Sequence, residues 1–231
     1  MIQQMRYPGG KGKTFHHVIN LMPPHRVYIE THLGGGAVMR NKRTAQENIG
    51  IDIDSSVIEK WRCPARPWLT LVHARAEDFL ASYEFRGDEL VYVDPPYHPT
   101  TRRRSRVYRH DYTAVDHEFL LSLLAKLPCK VILSGYENAA YSTALSQWQV
   151  HRFKAKTHTD LREETLWFNF DRPSILHDAS HLGEDFHHRL TIRRRMRRLQ
   201  TRVSRMDPIE RAAFTEWLYQ TYPLIKSEAP T

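Results

Sequence analysis

Leu90-Val91-Tyr92-Val93-Asp94-Pro95-Pro96-Tyr97 is the stretch on which the reading of this chain turns. Four apolar residues in a row, three of them β-branched or aromatic, read as a buried strand. The two prolines end it, because proline lacks the backbone donor and fixes φ. The result is a rigid corner with a carboxylate at the tip of a strand. Such a corner suits an exocyclic amine whose lone pair is delocalised into a heteroaromatic ring, as in adenine. Two acceptors in fixed directions, the Asp94 carboxylate and the Pro95 carbonyl, take its two N–H groups. They favour tetrahedral nitrogen and aim its lone pair at a methyl donor, a gain of positioning and electrostatics. Tyr97 adds a flat face for an unstacked base, typically worth about 1–3 kcal/mol. Taken alone, the tetrapeptide is equally a Pro-Pro turn capped by Asp94. The rest of the chain decides.

Upstream, Val27-Tyr28-Ile29-Glu30 reads as a buried strand, and Leu33-Gly34-Gly35-Gly36-Ala37-Val38-Met39 turns from it into a helix. Strand, glycine loop and helix form the βα turn at which doubly wound sheets let backbone approach a nucleoside or phosphate. The spacing is not G-x-G-x-x-G, which disfavours a dinucleotide. The next strand, Asn48 to Ile51, ends in Asp52 about twenty residues on, where such folds set an acid on ribose hydroxyls. Ser55 is the expected cap of a helix from Ser56 to Trp61, with Asp54 in the capping turn. Leu69 to His73 is a third strand, and Asp78 in the following Ala76–Leu80 segment is a candidate for an adenine amino group. It is equally an acid stabilising a helix N-terminus. Each βα turn has an ordinary explanation alone, but three acids and a glycine loop after successive strands converge on one edge of a parallel sheet.

Downstream, Thr113 with Asp116 starts a helix through Leu127, and Lys130 to Gly135 is a fifth strand followed by a helix over 137–147. Trp148–Lys154 and Thr165–Phe170 close the sheet as a hairpin, joined by a loop from Ala155 to Glu164. At the N-terminus, Tyr7-Pro8-Gly9-Gly10-Lys11-Gly12-Lys13-Thr14 imitates a P-loop. It lacks the first glycine and the strand that must precede one. A glycine turn carrying Lys11 still brings positive charge to a carboxylate, and Tyr7 a ring to pack on. Phe15, Val18, Ile19, Leu21 and Met22 recur at helical spacing up to Pro23-Pro24.

The 231 residues suffice for one α/β domain with an appendage, and the formal charge of +8 favours a polyanion, nucleic acid before a small acid. No run approaches the ~18 apolar residues of a bilayer span. Two distant cysteines, Cys63 and Cys129, suggest a reduced cytoplasmic protein without disulfide or zinc, and the scattered histidines predict no metal. After Tyr97, Arg102, Arg103, Arg104, Arg106 and Arg109 alternate with Tyr108 and Tyr112. They read as phosphate contacts or as a solvated loop. The character changes at Asp171. Residues 1–170 read as the catalytic domain and 171–231 as a basic helical appendage. Within it, Glu184–Met206 is helical by periodicity and dense in arginine, with Arg193, Arg194, Arg197 and Arg198 the leading backbone contacts. Asp207-Pro208-Ile209-Glu210 is a helix start, and the last helix is expected to fold back on the basic one.

Together these motifs resemble the Dam-type adenine-N6 DNA methyltransferases, which use S-adenosylmethionine. The similarity covers roughly Arg6 to Phe170. It rests on Tyr7 to Lys11, Glu30 to Gly36, Asp52-Ile53-Asp54, Asp94 to Tyr97, Leu133-Ser134-Gly135-Tyr136 and Arg162-Glu163-Glu164-Thr165-Leu166-Trp167. The resemblance implies a Rossmann-like class I methyltransferase sheet of about seven strands. Tyr7, Lys11, Glu30, Gly34, Gly36, Asp52 and Asp78 would surround the cofactor. Asp94, Pro95, Pro96 and Tyr97 would hold a flipped adenine. It leaves Arg162 and Glu163 without a role. The family's long recognition segment before the Asp-Pro-Pro-Tyr motif is missing, since only Leu80 to Leu90 lies there. Relaxed or very short specificity is therefore expected, as in a solitary phage or prophage enzyme. The competing readings are an adenine-N6 enzyme acting on RNA and a nucleic-acid binder with a degenerate methyltransferase fold.

Overall fold

The computed structural model describes residues 11–62, 66–102, 109–156 and 161–223. Two compact units divide the chain, residues 1–178 and 179–231.

The first unit is built on β1 (Val27–Glu30), β2 (Glu47–Asp52), β3 (Thr70–His73), β4 (Glu89–Val93), β5 (Lys130–Gly135), β6 (Gln149–Lys156) and β7 (Leu161–Phe168). They form one sheet in the order β3-β2-β1-β4-β5-β7-β6, with β1 to β5 parallel and β7 antiparallel to both neighbours. This is the expected Rossmann-like class I methyltransferase sheet. Its strand order reverses between β1 and β4, and a ligand crevice opens where it reverses.

The apolar runs are explained by burial on both faces. Alternate residues of one strand point to opposite sides. Tyr28, Tyr92, Ile132, Leu166 and Phe168 pack on one side with residues of α1 (Phe15–Ile19), α2 (Ala37–Asn41) and α3 (Ser55–Trp61). Val27, Ile29, Val91, Val93, Leu133 and Trp167 pack on the other with α4 (Ala76–Ser82), α5 (Ala114–Leu124) and α6 (Ala139–Ala144). Local chemistry sets the helix starts. Asp54, not Ser55, caps α3, accepting from Ser56 N–H at 2.9 Å. Thr113 and Asp116 form the capping box expected for α5.

The hairpin is longer than predicted. Most of the expected 155–164 loop is strand, which sets Arg162 and Glu164 in register opposite Ala155 and Phe153. The first unit also runs past Phe170. His177 N–H donates to the Met22 carbonyl at 2.8 Å and Asp178 Oδ2 accepts from Arg43 N–H at 2.8 Å, so the chain after β7 is tied back to the sheet unit.

The second unit contains α7 (Phe186–Ser204) and α8 (Pro208–Thr221), capped by Asp185 and Asp207 as their sequences dictate. Neither helix buries a residue, so no core marks the expected fold-back of the last helix on the basic one among the described residues. Among the described residues no helix is long and apolar enough to cross a membrane.

Candidate active site

Turns at the C-terminal ends of the parallel strands enclose a cavity of about 580 Å³. Glu30, Gly34 and Gly36 line it from the β1–α2 turn, Asp52 from the end of β2, Asp94, Pro95 and Pro96 from the end of β4. Lys11 reaches it from the segment before α1. Residues far apart in sequence thus meet, because every parallel strand delivers its last residue to the same edge.

The glycine turn is held from three sides. Gly34 N–H donates to Asp52 Oδ2 at 2.8 Å, and the Gly34 carbonyl accepts from Trp61 Nε1 at 2.9 Å. Leu33 N–H donates to the Ile51 carbonyl at 2.8 Å. Gly36 has φ +55°, and a Cβ there would lie 2.1 Å from Trp61 Cζ2, so both backbone and packing require glycine. The other Asp52 oxygen accepts from Asp54 N–H at 2.9 Å. Burial raises the Asp52 carboxyl above its ordinary range, although the Asp54 and Gly34 amides pull it down. Glu30 is buried below this turn, accepting from the Tyr28 hydroxyl at 2.9 Å, and burial pushes its carboxyl up to about 8.

At the β4 corner, Asp94 Oδ1 accepts from Lys11 Nζ at 2.9 Å and from Ser134 Oγ at 2.6 Å, while no described donor reaches Oδ2. Ser134 is fully buried at the end of β5 and contacts the Tyr92 hydroxyl at 3.2 Å. Lys11 is only 3% exposed and lies 3.6 Å from Glu164 Oε2. Burial works against its charge, but Asp94, Tyr97 and Glu164 outweigh it and raise the ammonium well above its usual range. Tyr97 flanks the cavity rather than lining it, its ring 4.4 Å from that of Tyr136. Arg162 covers the Tyr136 ring at 4.8 Å, which gives this arginine a place that its sequence did not.

Several assignments change. Asp78 is exposed and absent from the cavity wall, because α4 begins at Ala76 and its third residue turns to solvent; Arg75 and Ala76 line the cavity instead. Arg102 is not a phosphate contact. Its side chain is 4% exposed, pairs with Asp111 at 3.0 Å and donates to the carbonyls of Tyr97 and, at 2.7 Å, Tyr112. It thereby ties the loop's two ends together. Arg109 lies at the cavity, 3.4 Å from Asp54 Oδ1. Glu163 is exposed, and Glu164 is the buried acid of that pair. The assignments to Tyr7, Arg103, Arg104 and Arg106 fall outside the described residues.

Sequence reasoning missed His32, whose Nε2 lies 3.0 Å from the Tyr112 hydroxyl and joins the glycine turn to the returning loop. Burial pushes its imidazole down to about 3. Trp61 and Glu164 were missed as well. For Glu164 the strand's two-residue alternation was the available signal, hidden while the segment read as loop.

In the second unit, Arg194, Arg197, Arg198, Arg202 and Arg205 line one groove with Thr201, and Arg193 lies off it. No acidic residue interrupts α7. Among the described residues no cluster of histidine, cysteine, aspartate or glutamate has the arrangement of a metal site.

No protein-family model and no curated protein matches this chain. Solved structures similar to it include magnesium protoporphyrin IX methyltransferase of Synechocystis with bound S-adenosylmethionine (16% identity, TM-score 0.46, covering 68% of this chain and 77% of that one). An rRNA methylase of Streptococcus thermophilus is similar at 9% identity and TM-score 0.43, over 67% of this chain and 93% of its own. Precorrin 8w decarboxylase of Methanobacterium thermoautotrophicum is similar at 10% identity and TM-score 0.46, over 71% and 94%. At these values the likeness bears on neither substrate nor residue roles. The fold assignment rests on the strand order and directions of the sheet itself.

Proposed function

We propose that this protein is an S-adenosylmethionine-dependent methyltransferase acting on the exocyclic amine of adenine in nucleic acid, DNA foremost, with relaxed or very short sequence specificity. The observation that carries the proposal is the fixed Asp94 carboxylate. Lys11 and Ser134 occupy one oxygen, and Pro95 lines the same cavity beside it. That cavity also holds the glycine turn and Asp52.

The residues present fit the cofactor. A volume of about 580 Å³ is that of a small-molecule site. The Gly34 and Gly36 backbone allows close approach, and Asp52 offers its remaining lone pairs to hydroxyl donors at the position expected for ribose. When bound there, S-adenosylmethionine supplies an electrophilic methyl group. Asp94 Oδ2 and the Pro95 carbonyl would accept from the two amine N–H groups, and Tyr97 would support the base.

The nucleic-acid assignment is supported by the uninterrupted basic face of α7. Relaxed specificity is supported by the short connection from α4 to β4, residues 83–88, which leaves no room for a recognition segment.

Labelled methyl transfer onto duplex DNA, single-stranded DNA and structured RNA, read at single-adenine resolution, tests the proposal. N6-methyladenine at many or very short DNA sites is expected. A single long recognition site removes the specificity reading, and transfer to RNA alone moves the substrate class. No transfer and no calorimetric binding of S-adenosylmethionine, with or without DNA, leaves a nucleic-acid binder.

A further inference from the structure

We propose that Glu164 is a positioning residue of this site: its buried carboxylate holds Lys11 and makes the Lys11–Asp94–Glu164 group net negative where an amine nitrogen gains positive charge. The second half of this statement rests on the function proposed above. The first half, the grip on Lys11, stands on geometry alone.

Glu164 belongs to β7, whose residues alternate between the two faces of the sheet. Leu166 and Phe168 share its face and pack in the cluster that includes α1. Lys11 lies just ahead of α1, and so a carboxylate on this face at this height meets it. Glu163 points to the other face and is exposed. Glu164 Oε2 lies 3.6 Å from Lys11 Nζ, the distance of an ion pair longer than a hydrogen bond. Glu164 is 6% exposed and Lys11 3%, which leaves little water to screen the pair.

Charge counting separates this acid from an ordinary ion-pair partner. Lys11 and Asp94 alone already form a close pair, at 2.9 Å. That pair carries no net charge, and its field is that of a dipole, which falls off faster with distance than that of a charge. A second carboxylate makes the group net negative. When an amine nitrogen forms a bond to a methyl carbon and the carbon's bond to its leaving atom breaks, the nitrogen carries positive charge until one of its protons leaves to water. A preorganised negative group beside it stabilises that charge without reorganisation. Glu164 does not line the cavity, so it acts through Lys11 and the shared field, not by touching substrate.

Among the described residues, the charged and titratable groups acting on Glu164 are Lys11, Asp94 and Tyr97. Burial raises its carboxyl above the ordinary range, Lys11 opposes this and Asp94 adds to it. Lowering the pH through that raised value neutralises Glu164 and removes the net charge. The acid limb of methyl transfer therefore lies above the usual carboxylate range.

The test uses the full chain as wild type, Glu164→Gln and Glu164→Asp, each checked for folding by circular dichroism. Acylation of the Lys11 amine is followed by mass spectrometry across pH, a readout that needs neither cofactor nor substrate. In Glu164→Gln acylation should begin at lower pH, because the ammonium has lost a facing carboxylate. Single-turnover methyl transfer at saturating cofactor is measured in parallel. Glu164→Gln should fall about 10–100-fold, as for outer-shell partners of a site, and lose the acid limb, while cofactor affinity stays within about twofold. Glu164→Asp should regain part of the rate. An unchanged Lys11 profile overturns the proposal, as does a fall in rate that keeps the wild-type pH profile. A wild-type protein that transfers no methyl group at all removes the function proposed above, and the Lys11 profile then decides the grip of Glu164 by itself.

Discussion

The amide of Gly34 donates to the Asp52 carboxylate at 2.8 Å, joining the bend after β1 to the tip of β2. The other Asp52 oxygen holds the amide of Asp54, so one carboxylate orders both turns that wall the cavity. Asp52→Asn replaces one acceptor by a donor facing an N–H group, which costs about 1–3 kcal/mol. We expect lower unfolding free energy in urea and at least about tenfold weaker S-adenosylmethionine binding by calorimetry.

Gly36→Ala tests the left-handed turn. At φ +55° an alanine costs about 1–2 kcal/mol in backbone conformation. Its Cβ would also overlap the Trp61 ring, at a typical overpacking cost of about 1–3 kcal/mol. The expected result is a clear drop in denaturation midpoint with shifted Trp61 fluorescence. A midpoint equal to wild type would contradict the described packing.

Asp94→Asn isolates the chemistry. The amide can still accept from Ser134 but loses its charge against Lys11. Methyl transfer should fall by at least about 10²–10³, with cofactor affinity largely retained. Near-normal turnover would take the acceptor role away from Asp94.

Glu30 should give the fold a pH signature. Burial raises its carboxyl from 4.5 to about 8. The native state therefore binds more protons than the unfolded chain between these values. Its contribution to stability is fully present below pH 4.5 and is lost as pH rises through 8, by at most about 1.4 kcal/mol per pH unit. Thermal melts of Glu30→Gln against wild type across pH 4–9 should show a flatter profile for the variant and a relative gain at the alkaline end.

The two arginine clusters should separate in a salt titration. Replacing Arg194, Arg198 and Arg202 by glutamine should weaken duplex binding uniformly across sequences and reduce the slope of log K against log salt by up to about 0.9 per arginine. Arg102→Ala should leave that slope unchanged. It should instead lower stability, because this guanidinium is buried between Tyr97, Asp111 and Tyr112.

The amino-acid sequence by itself determined the sheet and most of its edge. Apolar runs that end in Glu30, Asp52 or Asp94, separated by helical periodicity and glycine or proline stops, admit little besides parallel strands with acids at one end, because patterning and turn chemistry act locally. Which side chains face the cavity was decided by tertiary structure. The helix holding Asp78 begins at Ala76 as its sequence indicates, but which of its faces meets the sheet is set by packing, and Asp78 falls on the solvent side. Arg102 looked like its neighbours in composition, yet burial made it a strut. Glu164 became the partner of Lys11 only when β7 joined the sheet beside β5, since contact between residues so far apart in sequence is set by strand order and pleat, which are properties of the assembled sheet.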